Sequence, residues 1–330
     1  MKTPKVSILV PIYNVSNFIE RCAHSLFQQT FQDIEFVFVN DCSTDDSMTK
    51  LILVIEQYPL IYERIKIINH SINKGPGTAR NTAIDASTGE YISVVDSDDY
   101  IEPNMIYELY SKALSDEADI TVCDFFIEYA DDTVIRRDEI CQDKWENFRQ
   151  MILQNNTHSC LWNKLVKRIF YEMNECRVPE GLNTSEDRHI ISRMFYFASK
   201  ISKLDKTLYH YNQHNINSIT STRSAMHFEN VIQFWNLFDE FLIEHGLNEK
   251  YRLEVSQTKA RGKASLMINT QSYCLQKKYS YLFLAEEKEN FILLAKGERL
   301  LLFLLRRKLN LIALLFQYLL VFKNKGKFKL

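Results

Sequence analysis

The chain has 330 residues, enough for two domains and a large core, with 46% hydrophobic and 25% charged residues but only 8 Gly and 6 Pro, which excludes collagen-like, low-complexity and disordered classes. A formal net charge of −2 offers no general attraction for a polyanion, so nucleic acid is not an expected partner. That balance is local: residues 299–330 hold eight Lys or Arg and no acid, while the rest of the chain sets 32 basic against 42 acidic residues.

Seven scattered cysteines without a C-x-x-C pair read as reduced thiols of a cytoplasmic protein, neither a disulfide framework nor a zinc site. Lys2 and Lys5 precede a short apolar run that breaks at Pro11, which predicts a strand and not a secretory signal. Val6–Val10 is that strand. Val15, Phe18, Ile19, Cys22 and Leu26 then recur at helical spacing. Strand-like Ile34–Val39 is followed by a helix over Asp45–Glu56, a strand over Ile65–Ile68 and a short helix over Gly77–Ala86. Next come a strand over Tyr91–Val95, a helix that Pro103 opens, and a strand over Asp119–Cys123. Alternating βα units of this length predict a parallel sheet covered on both faces. Beyond it, Asp143–Leu153, Glu186–Phe197 and Ala225–Leu305 read as helices, and Tyr209–Thr220 as a polar link, so domains of 1–220 and 221–330 are expected.

Ligands of an open parallel sheet bind at the carboxyl ends of its strands. Four polar clusters fall there: Pro11-Ile12-Tyr13-Asn14, Asn40-Asp41-Cys42-Ser43, the segment from Asn73 to Asn81, and Asp96-Ser97-Asp98-Asp99. In an extended segment Asp96 and Asp98 project to one side, and their repulsion invites a hard divalent ion such as Mg2+ or Mn2+. The alternative is a solvated turn before a helix. Asp41 is placed to accept hydrogen bonds from a nucleoside, or it turns the chain, with Ser43 and Asp46 capping the next helix. Gly75 and Gly77 permit close backbone approach, and Arg80 offers a planar fork to phosphate or to the acidic cluster. Neither G-x-G-x-x-G nor a P-loop is present.

Together these segments resemble the family-2 glycosyltransferases of the GT-A fold, over about residues 4–220. The resemblance implies a mostly parallel sheet flanked by helices, with a helical C-terminal region. It also implies inverting transfer from a nucleotide-sugar, usually UDP-linked, to an acceptor hydroxyl, with Mn2+ or Mg2+ on the diphosphate. Pro11, Tyr13, Asn14 and Asp41 become nucleoside contacts, Arg80 part of the donor pocket, Asp96 a ribose-side or metal-side group, and Asp98 the main metal ligand. Ser185-Glu186-Asp187 resembles the element whose Asp187 acts as base. Trp162-Asn163-Lys164-Leu165 resembles a segment that places Trp162 and Lys164 at the acceptor, and His210 or His214 matches a closing segment that supplies a metal-side histidine.

Each of these has a plainer alternative. Thr184-x-x-Asp187 can be a capping box, Trp162 a core residue, and His210 a surface residue of a turn. Two other functions compete: a sugar nucleotidyltransferase, which lacks its Gly-rich loop here, and a non-catalytic nucleotide-sugar binder. Residues 309–322 are uncharged and mostly apolar between Arg306-Arg307-Lys308 and four lysines, too short to span a bilayer. They suit an inner-membrane surface beside a saccharide or lipid-linked acceptor, or a buried helix or oligomer contact.

Overall fold

Continuous β-branched and apolar runs make the central strands, because strands buried on both faces need no alternation. In the computed structural model, residues 3–155, 157–214, 224–270 and 272–325 are described, with the backbone alone at 310 and 321–325. The chain divides into two compact units, Met1–Met151 with Asn155–Ile216, and Ile152–Gln154 with Asn217–Leu330.

In the first unit, strand β1 (Val6–Ile12) runs parallel to β2 (Ile34–Asn40) and to β4 (Tyr91–Val94), and β3 (Ile65–Asn69) runs parallel to β2. Helices α1 (Ile19–Phe27), α2 (Ser47–Ile55) and α3 (Pro76–Ala86) are the crossovers. The α1 stripe Ile19, Cys22, Ala23 and Leu26 joins Val6, Ile8, Val10, Phe36 and Phe38 in one core. The expected cap of α2 does not form. Instead Asp45 accepts from Ser47 N at 3.0 Å and from Ser16 N at 2.9 Å, which fastens the turn after β1 to the start of α2.

After β4 the parallel pattern ends. Strand β5 (Tyr100–Ile101) and helix α4 (Met105–Asp116) lead to β6 (Ile120–Glu128), which forms a hairpin with β7 (Thr133–Arg136). Helix α5 (Lys144–Leu153) precedes β8 (Lys164–Lys167), which wedges antiparallel between β4 and β6. Helices α6 (Arg168–Glu172) and α7 (Glu186–Phe197) then lead to β9 (Ile201–Asn212), parallel to β6 and antiparallel to β5. The sheet order is β3-β2-β1-β4-β8-β6-β9-β5, so the architecture is a mixed α/β sheet flanked by helices. Local periodicity reports that a segment is extended, not which way it runs, so the antiparallel wedge has no signature in it.

The segment expected as a polar link is, up to Asn212, the end of β9, while residues 215–220 lie outside the described ones. Its polar side chains mimic a link because their partners lie inside the protein. The second unit is helical as expected: α8 (Ala225–Glu244), α9 (Arg252–Asn269), α10 (Tyr273–Tyr279), α11 (Leu284–Glu289), α12 (Lys296–Arg306) and α13 (Asn310–Lys325). Phe228, Ala264, Met267, Leu301, Leu305 and Ala313 form its core. Among the described residues no helix is long and apolar enough to cross a membrane.

Candidate active site

The carboxyl ends of β1 and β2 are tied together before any ligand is considered. Asn14 takes a left-handed φ of 51°, which Asn tolerates better than most residues. Its Oδ1 accepts from Thr44 N at 2.8 Å and its own N donates to Ser43 Oγ at 3.2 Å. Pro11 lies within β1, in register with Val39, and Tyr13 is 46% exposed.

Asp41, next along, is only 3% exposed. His70 Nδ1 (2.7 Å) and Lys74 N (2.9 Å) meet its Oδ1, and Gly75 N (2.8 Å) donates to its Oδ2. The carboxylate therefore organises the loop that opens α3, and His70 is held in turn by Thr82 Oγ1 at 3.0 Å. The close approach expected at the glycines is to protein. A Cβ on Gly75, whose φ is +87°, would fall 2.0 Å from Asn183 Oδ1, and one on Gly77 would fall 2.9 Å from Leu182 O. These glycines let α3 seat against residues 178–183.

That seating delivers Arg80. Its guanidinium, 3% exposed, lies 2.8 Å from Asp187 Oδ1, 3.4 Å from Glu186 Oε1 and 3.8 Å from Asp96 Oδ1. Burial alone would depress Arg80, but Asp187, Glu186 and Asp96 outweigh it and raise it. Two of the acids are pushed towards their protonated forms. Burial pushes Asp96 up to about 7, with Asp187, Asp98 and Glu186 adding to the rise against the pull of Arg80. Burial and Asp187 likewise push Glu186 up to about 7. One cation facing three acids leaves an excess of negative charge.

Asp96-Ser97-Asp98-Asp99 is a turn, closed by Asp99 N donating to Asp96 O at 3.0 Å, and not the extended segment expected. Asp99 is fully buried beneath it. Tyr209 O–H donates to Asp99 Oδ2 at 2.7 Å and Asn212 N donates to Oδ1 at 2.7 Å, while the Asn212 amide donates to Asp98 O at 3.0 Å. Burial, then Asp98 and Asp96, raises the Asp99 carboxyl well above the carboxylate range. The end of β9 thus holds the acidic turn in place.

Asp187 lies in the first turn of α7, where the helix dipole favours a carboxylate. No capping box forms there, because Ser185 is the N-cap with a φ of 70° and makes no side-chain cap. Asp187 Oδ2 accepts from Leu161 N at 3.2 Å, while Oδ1 has its ion pair with Arg80 but no hydrogen bond of good geometry among the described residues. That oxygen keeps accepting capacity.

Other expected residues are placed elsewhere. Trp162 is 7% exposed and stacks on Tyr209 (4.4 Å) and Tyr211 (5.3 Å), edge-on to Phe125, so it is a core residue and not an acceptor contact. Lys164 is fully buried, its Nζ donating to His158 O (3.0 Å), Cys160 O (2.8 Å) and Asn163 Oδ1 (2.7 Å), so it braces this loop and cannot reach an acceptor. His210 is sandwiched between Tyr100 and Phe126, and both ring nitrogens are engaged, by Glu128 at 2.7 Å and Glu102 at 2.9 Å. No nitrogen is left for a metal. His214 is exposed and follows Asn212, to whose Oδ1 its N donates at 3.0 Å.

Among the described residues no group of three or more His, Cys, Asp or Glu forms a ready metal cage. Mg2+ and Mn2+ are also held by one or two carboxylates with phosphate oxygens and water completing the shell, and Asp96 and Asp98 are the half-buried carboxylates of this turn. Sequence reasoning gave no site role to Glu186, Asp99, Tyr209 or Asn212. The third acid of the cluster, at Asp99, was the available signal, since three neighbouring carboxylates cannot all face solvent-poor space unpaired.

The family model described as glycosyl transferase family 2 matches residues 7–172. The chain is 33% identical over 261 residues to EpsH of Bacillus subtilis (strain 168), which carries a glycosyltransferase name, covering 77% of this chain and 74% of that one. It is 34% identical over 223 residues to the uncharacterized glycosyltransferase EpsJ of the same organism, covering 66% of this chain and 63% of that one, under two thirds of that relative's length. A solved structure, S. aureus TarS 1-349 in complex with UDP-GlcNAc, has a TM-score of 0.56 at 19% identity, over 94% of this chain and 89% of that one, a likeness of fold. The family match on half the chain and the EpsH alignment across most of it agree: the chain belongs to glycosyl transferase family 2.

Proposed function

We propose that this glycosyltransferase moves a sugar from a UDP-sugar to an acceptor hydroxyl, with inversion at the anomeric carbon, in the synthesis of a polysaccharide or glycan. The observation that carries the reading is the Arg80 cluster, in which acids from two stretches, at 96 and 186–187, lie within 3.8 Å of one guanidinium. The complex of TarS with UDP-GlcNAc supports the donor class. Seven free cysteines support a cytoplasmic setting.

Asp187 accepts the acceptor proton as the hydroxyl oxygen bonds to the anomeric carbon and the bond to the UDP oxygen breaks on the opposite side. Arg80 orients that carboxylate, and Leu161 N fixes its second oxygen. Pro11, Tyr13 and Asn14 face the nucleoside, and Asp41 shapes the pocket through the loop it organises. Asp96 and Asp98 would hold Mn2+ or Mg2+, which when bound supplies positive charge opposite the diphosphate.

A panel of UDP-sugars, each with Mn2+ or Mg2+, tests this by release of free UDP. Asp187→Asn should keep donor affinity and lower turnover by about 10³-fold, and Asp98→Asn should abolish the transfer that depends on divalent ion. Near-normal turnover by Asp187→Asn would overturn the base assignment, and donor binding without UDP release by the wild type would make the protein a binder.

A further inference from the structure

Helix α13 is apolar on both sides. Its inner face is anchored: Ala313 is fully buried, and Gln317, 2% exposed, donates to Ile268 O and Thr270 O at 2.5 Å each. Its outer face carries Leu311 (71% exposed), Ile312 (52%), Leu315 (70%), Tyr318 (63%) and Leu319 (68%). At 3.6 residues per turn these five fall within an arc of about 120°, so they form one stripe. All five are more than half exposed, and a contiguous exposed apolar stripe of this kind marks a contact surface.

The charge around the stripe selects its cover. Arg307 and Lys308 are exposed just before α13, and residues 299–330 contain no acid. A symmetric contact with a second copy would set this basic segment against itself. An anionic lipid surface instead offers hydrocarbon to the stripe and opposite charge to its flank. The helix has 16 residues, a length of about 24 Å, short of the ~30 Å a hydrocarbon core requires. We propose that α13 lies flat in the interface of an anionic membrane, through Leu311, Leu315, Tyr318 and Leu319, with Arg307 and Lys308 at the headgroups. Residues 326–330 of the basic segment lie outside the described ones.

Sedimentation of the full chain with vesicles tests it, without any donor present. The wild type should pellet with phosphatidylcholine–phosphatidylglycerol vesicles far more than with phosphatidylcholine alone, and less so at high salt. Leu315→Glu with Leu319→Glu should weaken that binding about tenfold or more, with UDP release unchanged. If that double variant unfolds, as circular dichroism would reveal, Arg307→Glu with Lys308→Glu serves instead and should lose the preference for anionic lipid. Absence of wild-type binding, or equal binding by the folded variants, overturns the proposal. So does a dimer in sedimentation velocity that the double glutamate variant dissociates, which would give the stripe to a second copy.

Discussion

Each unit buries a cluster of charges, and the two are built differently. In the helical unit Lys263, fully buried, meets Glu287 Oε2 at 2.5 Å and Ser280 O at 2.7 Å, while Arg306 Nε lies 3.2 Å from Glu287 Oε1. Glu286 acts on Lys263 as well, so cations and acids are near balance there, and burial, set partly against Glu287, lowers the Lys263 ammonium. In the sheet unit one buried arginine faces three acids, two of them raised to about 7. A fold that needed only cohesion would not keep three carboxylates on one guanidinium, because each excess charge costs desolvation energy that no partner returns. The difference separates a near-balanced cluster that joins helices from one with an excess of acid, the arrangement expected of the proposed donor site.

Substitutions in each cluster test that contrast. The largest effect is expected for Arg80→Met, which strands the acids of the sheet unit. Stability in urea should fall by about 3–5 kcal/mol at pH 8, and turnover should be lost with it. The stability deficit should shrink at pH 6, where Asp96 and Glu186 take up protons; an equal deficit at both pH values would show that their charge is not the cause. Lys263→Met, the counterpart in the helical unit, should cost about 3 kcal/mol yet leave UDP release by the folded protein intact. Lost turnover in a folded Lys263→Met protein would erase the distinction.

A smaller change of opposite sign is expected for Glu186→Gln. Folding raises the Glu186 pKa to about 7, so the native state binds the proton more tightly than the unfolded chain. Its contribution is most favourable below the unfolded value near 4.5 and is lost as pH rises through about 7. The amide removes that loss, so the variant should gain about 1–2 kcal/mol at pH 8 and almost nothing at pH 5. Thermal midpoints at the two pH values decide, and destabilisation at pH 8 would mean that the ion pair with Arg80 outweighs the crowding.

Much of this site is readable in the chain because it sits where strands end. Asn14, Asp41, Arg80 and Asp96 belong to the polar segments directly after apolar runs, and Asp187 is marked by its place at the start of a helix. Roles are harder to read than places. Trp162 and Lys164 look available because a large aromatic and a cation carry no mark of burial in their sequence neighbourhood. Lys164 is nevertheless sealed by three acceptors from its own loop and Trp162 by rings of β6 and β9. His210 resembles a metal-side residue only through its neighbours in sequence, while Glu102 and Glu128, far away along the chain, claim its nitrogens.

Periodicity and turn chemistry act over a few residues, and they suffice for the alternation of strands and helices through β4, the helical character of the second unit and the positions of the polar strand ends. Packing of the assembled sheet was needed for the antiparallel wedge of β8, the support of the acidic turn by Tyr209 and Asn212, and the gathering of Asp96, Glu186 and Asp187 on Arg80. The pairs Arg80 with Glu186, Tyr209 with Asp99 and Asn212 with Asp98 lie 106, 110 and 114 positions apart. Partners at such separations are chosen by which strands lie side by side, and that choice leaves no local pattern behind.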